Sequence, residues 1–149
     1  MRETLLSIVV SLCCATSCTC RKGTPTETKG NIYEGEWAEM TAERIVATFA
    51  PEGNGYRVEI GWREKGLAQY EIWEMNAENN GNDTLTYSNG RYFIQRYERQ
   101  DDTNCTTDTI YNDGFGTFFI NGDGNLVWND GKDSLQEATV FIRANFEEK

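Results

Sequence analysis

The chain of 149 residues contains no histidine. That absence removes the general base of Ser-His-Asp and Cys-His nucleophilic catalysis, and the zinc ligand sets that depend on histidine. Basic residues are scarce as well: 14 lysines and arginines stand against 24 acidic residues, for a formal charge of −10. An acidic body repels nucleic-acid phosphates and anionic headgroups, so neither is expected as a direct partner. The same charge attracts cationic partners, although its plainest consequence is solubility. Helical period is missing from the body of the chain, and with it the helix start that a phosphate-binding glycine loop needs. The apolar run near the start (TLLSIVVSLCCATS, Thr4 to Ser17) falls short of the roughly 20 apolar residues a membrane-spanning helix requires. What is present is 26% charged and 12% aromatic residues, in a length that suits one domain with a single core.

The first thirty residues differ from the rest. Arg2 and the amino terminus precede the apolar run, which reads as a signal peptide over residues 1–17. Small residues then lead into a cysteine, Ala15-Thr16-Ser17-Cys18. This resembles the bacterial lipobox, in which the thiol takes a diacylglycerol and the chain is cut just before it; Ala15 stands where leucine is commoner. The resemblance implies export to a bacterial cell envelope and a membrane anchor through Cys18. The alternatives are an ordinary secretory signal or a buried helix, and the latter lacks a second helical layer to pack against. Residues 18–30 contain Thr, Gly, Lys and one Pro, and read as a flexible tether to a domain over 31–149. Cys20 and Cys105 could pair in an oxidising compartment, but Cys20 lies in the tether, and Cys105 has no histidine to activate it.

From Tyr33 onward the sequence alternates with period two. Tyr56, Val58, Ile60 and Trp62 are apolar, with Arg57, Glu59 and Arg63 between and beyond them. That pattern predicts a strand with one buried face. Residues 43–50 form the preceding strand, with Pro51 to Gly55 as the loop. Further turns are expected at Asn79 to Asp83, at Asn89-Gly90 (the strongest hairpin signal in the chain), at Asn112-Asp113-Gly114 and at Asn121 to Gly124. In the last run, Ala138, Val140, Ile142, Ala144 and Phe146 share one face. The whole predicts an all-β fold, an antiparallel up-and-down meander of about 8–10 strands. A meander of this length on one core is expected to close into a barrel, with a β-sandwich as the alternative.

Gly35-Glu36-Trp37 opens the first strand, and Arg143 lies on the last. The pair resembles the G-x-W motif of lipocalins and other calycin barrels, in which an arginine of the final strand packs across the tryptophan and closes the barrel floor. The resemblance implies that Trp37 and Arg143 stack, a cation–π contact of about 1 kcal/mol. The plain alternative is a core tryptophan and a surface arginine.

Other motifs carry little chemistry. Asp123-Gly124-Asn125 lacks the further ligands of a calcium loop and reads as a hairpin, and Asp113, Asp130 and Asp133 form only a loose acidic cluster. No metal or cofactor is expected. With 24 acidic residues, some carboxylate pair will lie at a glycosidase-like spacing by chance. The aromatics are more informative. Trp62, Tyr70, Trp73, Phe118, Phe119 and Trp128 are candidates for a ligand-lined or partner-binding face, because Ile72-Trp73 and Phe118-Phe119 put bulky groups on both faces of their strands. The expected function is a non-enzymatic envelope lipoprotein whose barrel binds a small apolar or amphipathic ligand. The alternatives are a protein-interaction module, such as an inhibitor of a cationic secreted hydrolase, and more remotely a carboxylate-based glycosidase. Small lipid-anchored barrels that inhibit lysozyme are similar in plan, though this chain lacks their cysteine pairing.

Overall fold

The computed structural model describes residues 31–41, 44–63, 68–98, 104–132 and 137–144. Residues 1–30, on which the expected signal peptide, Cys18 and the expected tether with Cys20 fall, lie outside the described residues, as do Asp133 and Phe146. Eight strands follow in order: β1 Gly35–Glu39, β2 Ile45–Glu52, β3 Gly55–Arg63, β4 Gln69–Asn79, β5 Thr84–Tyr97, β6 Cys105–Ile120, β7 Leu126–Asp130 and β8 Thr139–Arg143. Each pairs antiparallel with its neighbour in sequence, and β8 pairs with β1 to close the barrel. Closure leaves no sheet edge, and the sandwich alternative is set aside. No helix occurs among the described residues.

Alternation places the core. Phe49, Val58, Ile60, Leu85, Phe118 and Phe141 point inward and are essentially sealed from solvent. Each such side chain contributes about 1.5–3 kcal/mol relative to an exposed one. The outer positions between them are mostly polar.

Four expectations from the sequence are corrected. The Pro51–Gly55 loop shrinks to a two-residue turn at Gly53-Asn54, because Pro51 pairs with Tyr56 and Glu52 with Gly55. Asn89-Gly90 does not turn the chain; β5 runs through it. A type I′ turn needs positive φ at both central residues, and only Asn89 has it, at 59°. The result is a bulge, where the register slips between Tyr87 and Gly90. Asn112-Asp113-Gly114 is likewise internal to β6, with Gly114 paired to Gly90. Bulges change which parity faces inward. Leu85 and Tyr87 point in before the slip, and Tyr92 after it, opposite Tyr111. Finally, the core residue of β8 is Phe141, while Val140 and Ile142 lie on the outer face and are half-buried. Val140 pairs there with Val127.

The floor is tied by its two ends. Trp37 and Arg143 are cross-strand partners, and the guanidinium carbon lies 4.0 Å from the Trp37 ring centroid. The Arg143 guanidinium also donates to the carbonyls of Glu34 and Ile32, so the segment before β1 is held against β8. The Trp37 indole N–H donates to the Tyr33 carbonyl at 2.8 Å. Gly35 has a φ of 107°, and a Cβ there would meet Arg143 Nη1 at 3.2 Å, so glycine serves both the backbone turn and the passage of the arginine. Tyr33 lies across this end, sealed from solvent, and its hydroxyl donates to the Asp83 carbonyl at 2.5 Å.

Candidate functional site

The opposite end of the barrel is open. A cavity of about 560 Å³ lies there, walled by Trp62 of β3, Glu71 and Trp73 of β4, Tyr92 of β5, Tyr111 of β6, and Trp128 and Asp130 of β7, with Lys132 and Glu137 near its rim. The volume falls within the ~300–1,000 Å³ of small-molecule sites.

Strand alternation builds it. On β3 the inward series Val58, Ile60, Trp62 runs from core to cavity, and on β4 Glu71 and Trp73 continue the inward face of Met75 and Ala77. The rings interlock. Trp73 and Tyr92 stack face to face, with centroids 4.4 Å apart and planes 5° from parallel. Trp128 meets Trp73 edge-on at 5.7 Å, and Tyr111 lies 5.4 Å from Tyr92. Such pairs are worth about 0.5–1.5 kcal/mol beyond area burial, and they fix the wall before anything binds.

Two carboxylates in the wall, Glu71 and Asp130, are held by phenols. The Tyr92 hydroxyl donates to Glu71 at 2.5 Å. Asp130 accepts from Tyr111 at 3.0 Å, from Tyr87 at 3.3 Å and from the Lys132 backbone N–H at 3.1 Å. The Trp128 indole N–H donates in turn to the Tyr87 hydroxyl at 3.0 Å. Lys132 turns its Nζ to Asp113 at 2.7 Å, and the hydrogen bond from Lys132 holds the Asp113 carboxyl below its usual range.

Burial, followed by the hydrogen bond to Glu71 and its charge, pushes the Tyr92 phenol well above 10. Burial and then Asp130 do the same to Tyr111, and burial above all raises Tyr87. At the floor, burial and the nearby Asp83 push Tyr33 up to about 12. A phenol whose folded pKa exceeds its unfolded value of about 10 adds stability that is complete below pH 10 and lost as pH climbs through the folded value. An ultraviolet titration is therefore expected to show Tyr33, Tyr87, Tyr92 and Tyr111 still neutral above pH 10, with stability falling between pH 10 and about 12. Ionisation of all seven tyrosines in one step near pH 10 would contradict the network.

Of the aromatics singled out from sequence, Trp62, Trp73 and Trp128 line the cavity. Phe118 lies beneath it in the sealed core, with its ring parallel to Trp128 at 6.1 Å. Tyr70 packs on Tyr97 on the outer face, and Phe119 is half-buried beside Val127, also outside. Sequence reasoning did not assign Glu71 or Tyr111 to the site. Glu71 carries a signal in retrospect, since it shares parity with Trp73 and Met75; Tyr111 carries none, because two register slips separate it from Phe118. Among the described residues, no group of three or more acidic or sulfur side chains converges to hold a metal.

Compared with protein-family models, curated proteins and solved structures, the chain matches none.

Proposed function

We propose that this protein is a non-enzymatic cell-envelope lipoprotein, anchored through Cys18, whose lipocalin-like barrel carries a small amphipathic ligand at its open end. The observation that carries this reading is the cavity of about 560 Å³ with its preformed aromatic wall and a few fixed polar groups. Broad apolar walls supply affinity, while Glu71 orients a polar part. The closed floor makes the site a cup rather than a channel, so a ligand enters and leaves by one end. The glycosidase alternative needs two carboxylates free to exchange protons; Asp130 instead accepts three hydrogen bonds and braces the wall. The interaction-module alternative draws on the net charge and on a likeness in plan to barrels whose cysteine pairing this chain lacks, and three of its candidate face residues, Trp62, Trp73 and Trp128, line the cavity instead.

Mass spectrometry of the intact protein taken from its own host tests both parts. Under denaturing conditions, the chain is expected to begin at Cys18 and to carry added diacylglyceryl mass. Under native conditions, a discrete non-covalent addition of a few hundred daltons is expected, on the order of what such a cavity holds. A chain that retains residues 1–17 without lipid would remove the anchor. A bare native mass, together with no uptake of any added amphiphile, would remove the carrier.

A further inference from the structure

We infer that the cavity selects an organic cation: an amphipathic amine or quaternary ammonium whose charged head lies between the aromatic rings and Glu71. The inference rests on the carrier reading and names the class of ligand.

Charge at the wall is one-sided. The lining residues include three carboxylates, Glu71, Asp130 and Glu137, and a single lysine. Lys132 is already paired, with its Nζ 2.7 Å from Asp113 and 5.8 Å from the Tyr111 ring centroid, which leaves Trp62, Trp73 and Trp128 without a cation of their own among the described residues. The hydrogen bonds on Glu71 and Asp130 come from neutral donors, two phenols and a backbone N–H on Asp130 and one phenol on Glu71, so they fix the oxygens without cancelling the charge. Among the described residues, the second oxygen of Glu71 accepts no hydrogen bond, whereas Asp130 is committed on both.

The aromatic wall has the same preference. Ring faces are the negative part of the quadrupole and attract a cation within about 6 Å of a centroid, tryptophan most strongly. Trp62, Trp73 and Trp128 reach the cavity together with two tyrosines, and Trp73, Tyr92, Tyr111 and Trp128 are locked by mutual ring contacts. An anionic head would meet these carboxylates without a free cationic donor. A neutral ligand could at most donate one hydrogen bond to Glu71 and would leave its charge uncompensated, which is costly once the carboxylate is desolvated. The chain's −10 adds a long-range field that favours the approach of cations.

The experiment is calorimetric titration of the intact protein with three probes of equal chain length: octyltrimethylammonium, octanol and octyl sulfate. The cation is expected to bind about tenfold tighter than the alcohol, and the sulfate weakest. Glu71→Gln keeps an acceptor for Tyr92 and is expected to weaken the cation several-fold more than it weakens octanol. Asp123→Asn removes one charge from the exposed β6–β7 turn at the floor end and is expected to change neither. Equal affinity for cation and alcohol, or a preference for sulfate, would overturn the selection and leave the carrier intact. So would an equal effect of Asp123→Asn and Glu71→Gln, which would reduce the preference to net charge, or a Glu71→Gln loss as large for octanol as for the cation, which would make Glu71 structural. Binding of none of the three would remove the carrier reading as well.

Discussion

Trp37→Ala is expected to cost about 3–5 kcal/mol of unfolding free energy, a large share of the ~5–15 kcal/mol available to a domain of this kind. Trp37 is 2% exposed and fills the floor of the barrel between β2 and β8. Its loss leaves a cavity, orphans the Tyr33 carbonyl that its indole N–H satisfies, and removes the ring under Arg143. Urea unfolding at neutral pH measures the loss. Arg143→Ala is the companion variant, expected to cost about 1–3 kcal/mol, because it removes the stacked guanidinium and the donors to the Ile32 and Glu34 carbonyls together. The double variant is expected to fall short of the sum by about 0.5–2 kcal/mol, the coupling between ring and cation. Strict additivity would mean that the two side chains are neighbours without a net interaction. A Trp37→Ala cost below about 1 kcal/mol would mean that the floor closes without it.

Gly116→Ala is expected to cost about 1–3 kcal/mol, a large effect for one added methyl. A Cβ at Gly116 would lie 2.6 Å from the Tyr87 hydroxyl and 2.8 Å from its ring, and it would also press on the Asn129 carbonyl of the adjacent strand. Tyr87 has little room to give. It is 6% exposed, it receives the Trp128 indole N–H, and it donates to Asp130. The added methyl therefore strikes the joint between the core and the pocket wall, so ligand uptake is expected to fall along with stability. Gly122→Ala is the control. It lies in the β6–β7 turn, where an added Cβ meets nothing within 4 Å, and its effect is expected to stay within about 0.5 kcal/mol. Parallel thermal and urea melts of the two variants decide the matter, and equal effects would show that the approach at Gly116 is not tight.

The strands that were legible in the sequence are those that bury one face cleanly. Tyr56, Val58, Ile60 and Trp62 alternate with Arg57, Glu59 and Gly61, and the structure turns all four inward. The turns at Asn79 to Asp83 and at Asn121 to Gly124 hold because they close on their own side chains. Asn79 accepts from the Gly81 backbone, and Asn121 accepts from those of Asp123 and Asn125. Asn89-Gly90 looked just as local and was not. Its fate depended on β6 running long enough to pair across it, and no short window contains that fact. The face of β8 was ambiguous for a simpler reason: Val140, Phe141 and Ile142 are all apolar, so either parity fits, and pairing to Trp37 and Leu126 chose.

By itself the sequence determined the class of fold, the antiparallel meander and most of the inward series, because alternation and self-closing turns are properties of a few adjacent residues. It also set the net charge and excluded histidine chemistry. The tertiary structure alone decided that two turn-like segments are bulges, that Phe118 belongs to the core while Trp73 and Trp128 face a cavity, and that Glu71, Tyr92, Tyr111 and Asp130 meet there. Those residues come from four strands and are up to 59 positions apart in sequence. What brings them together is register around a closed barrel, and each bulge shifts that register by a residue and turns every following side chain to the other face.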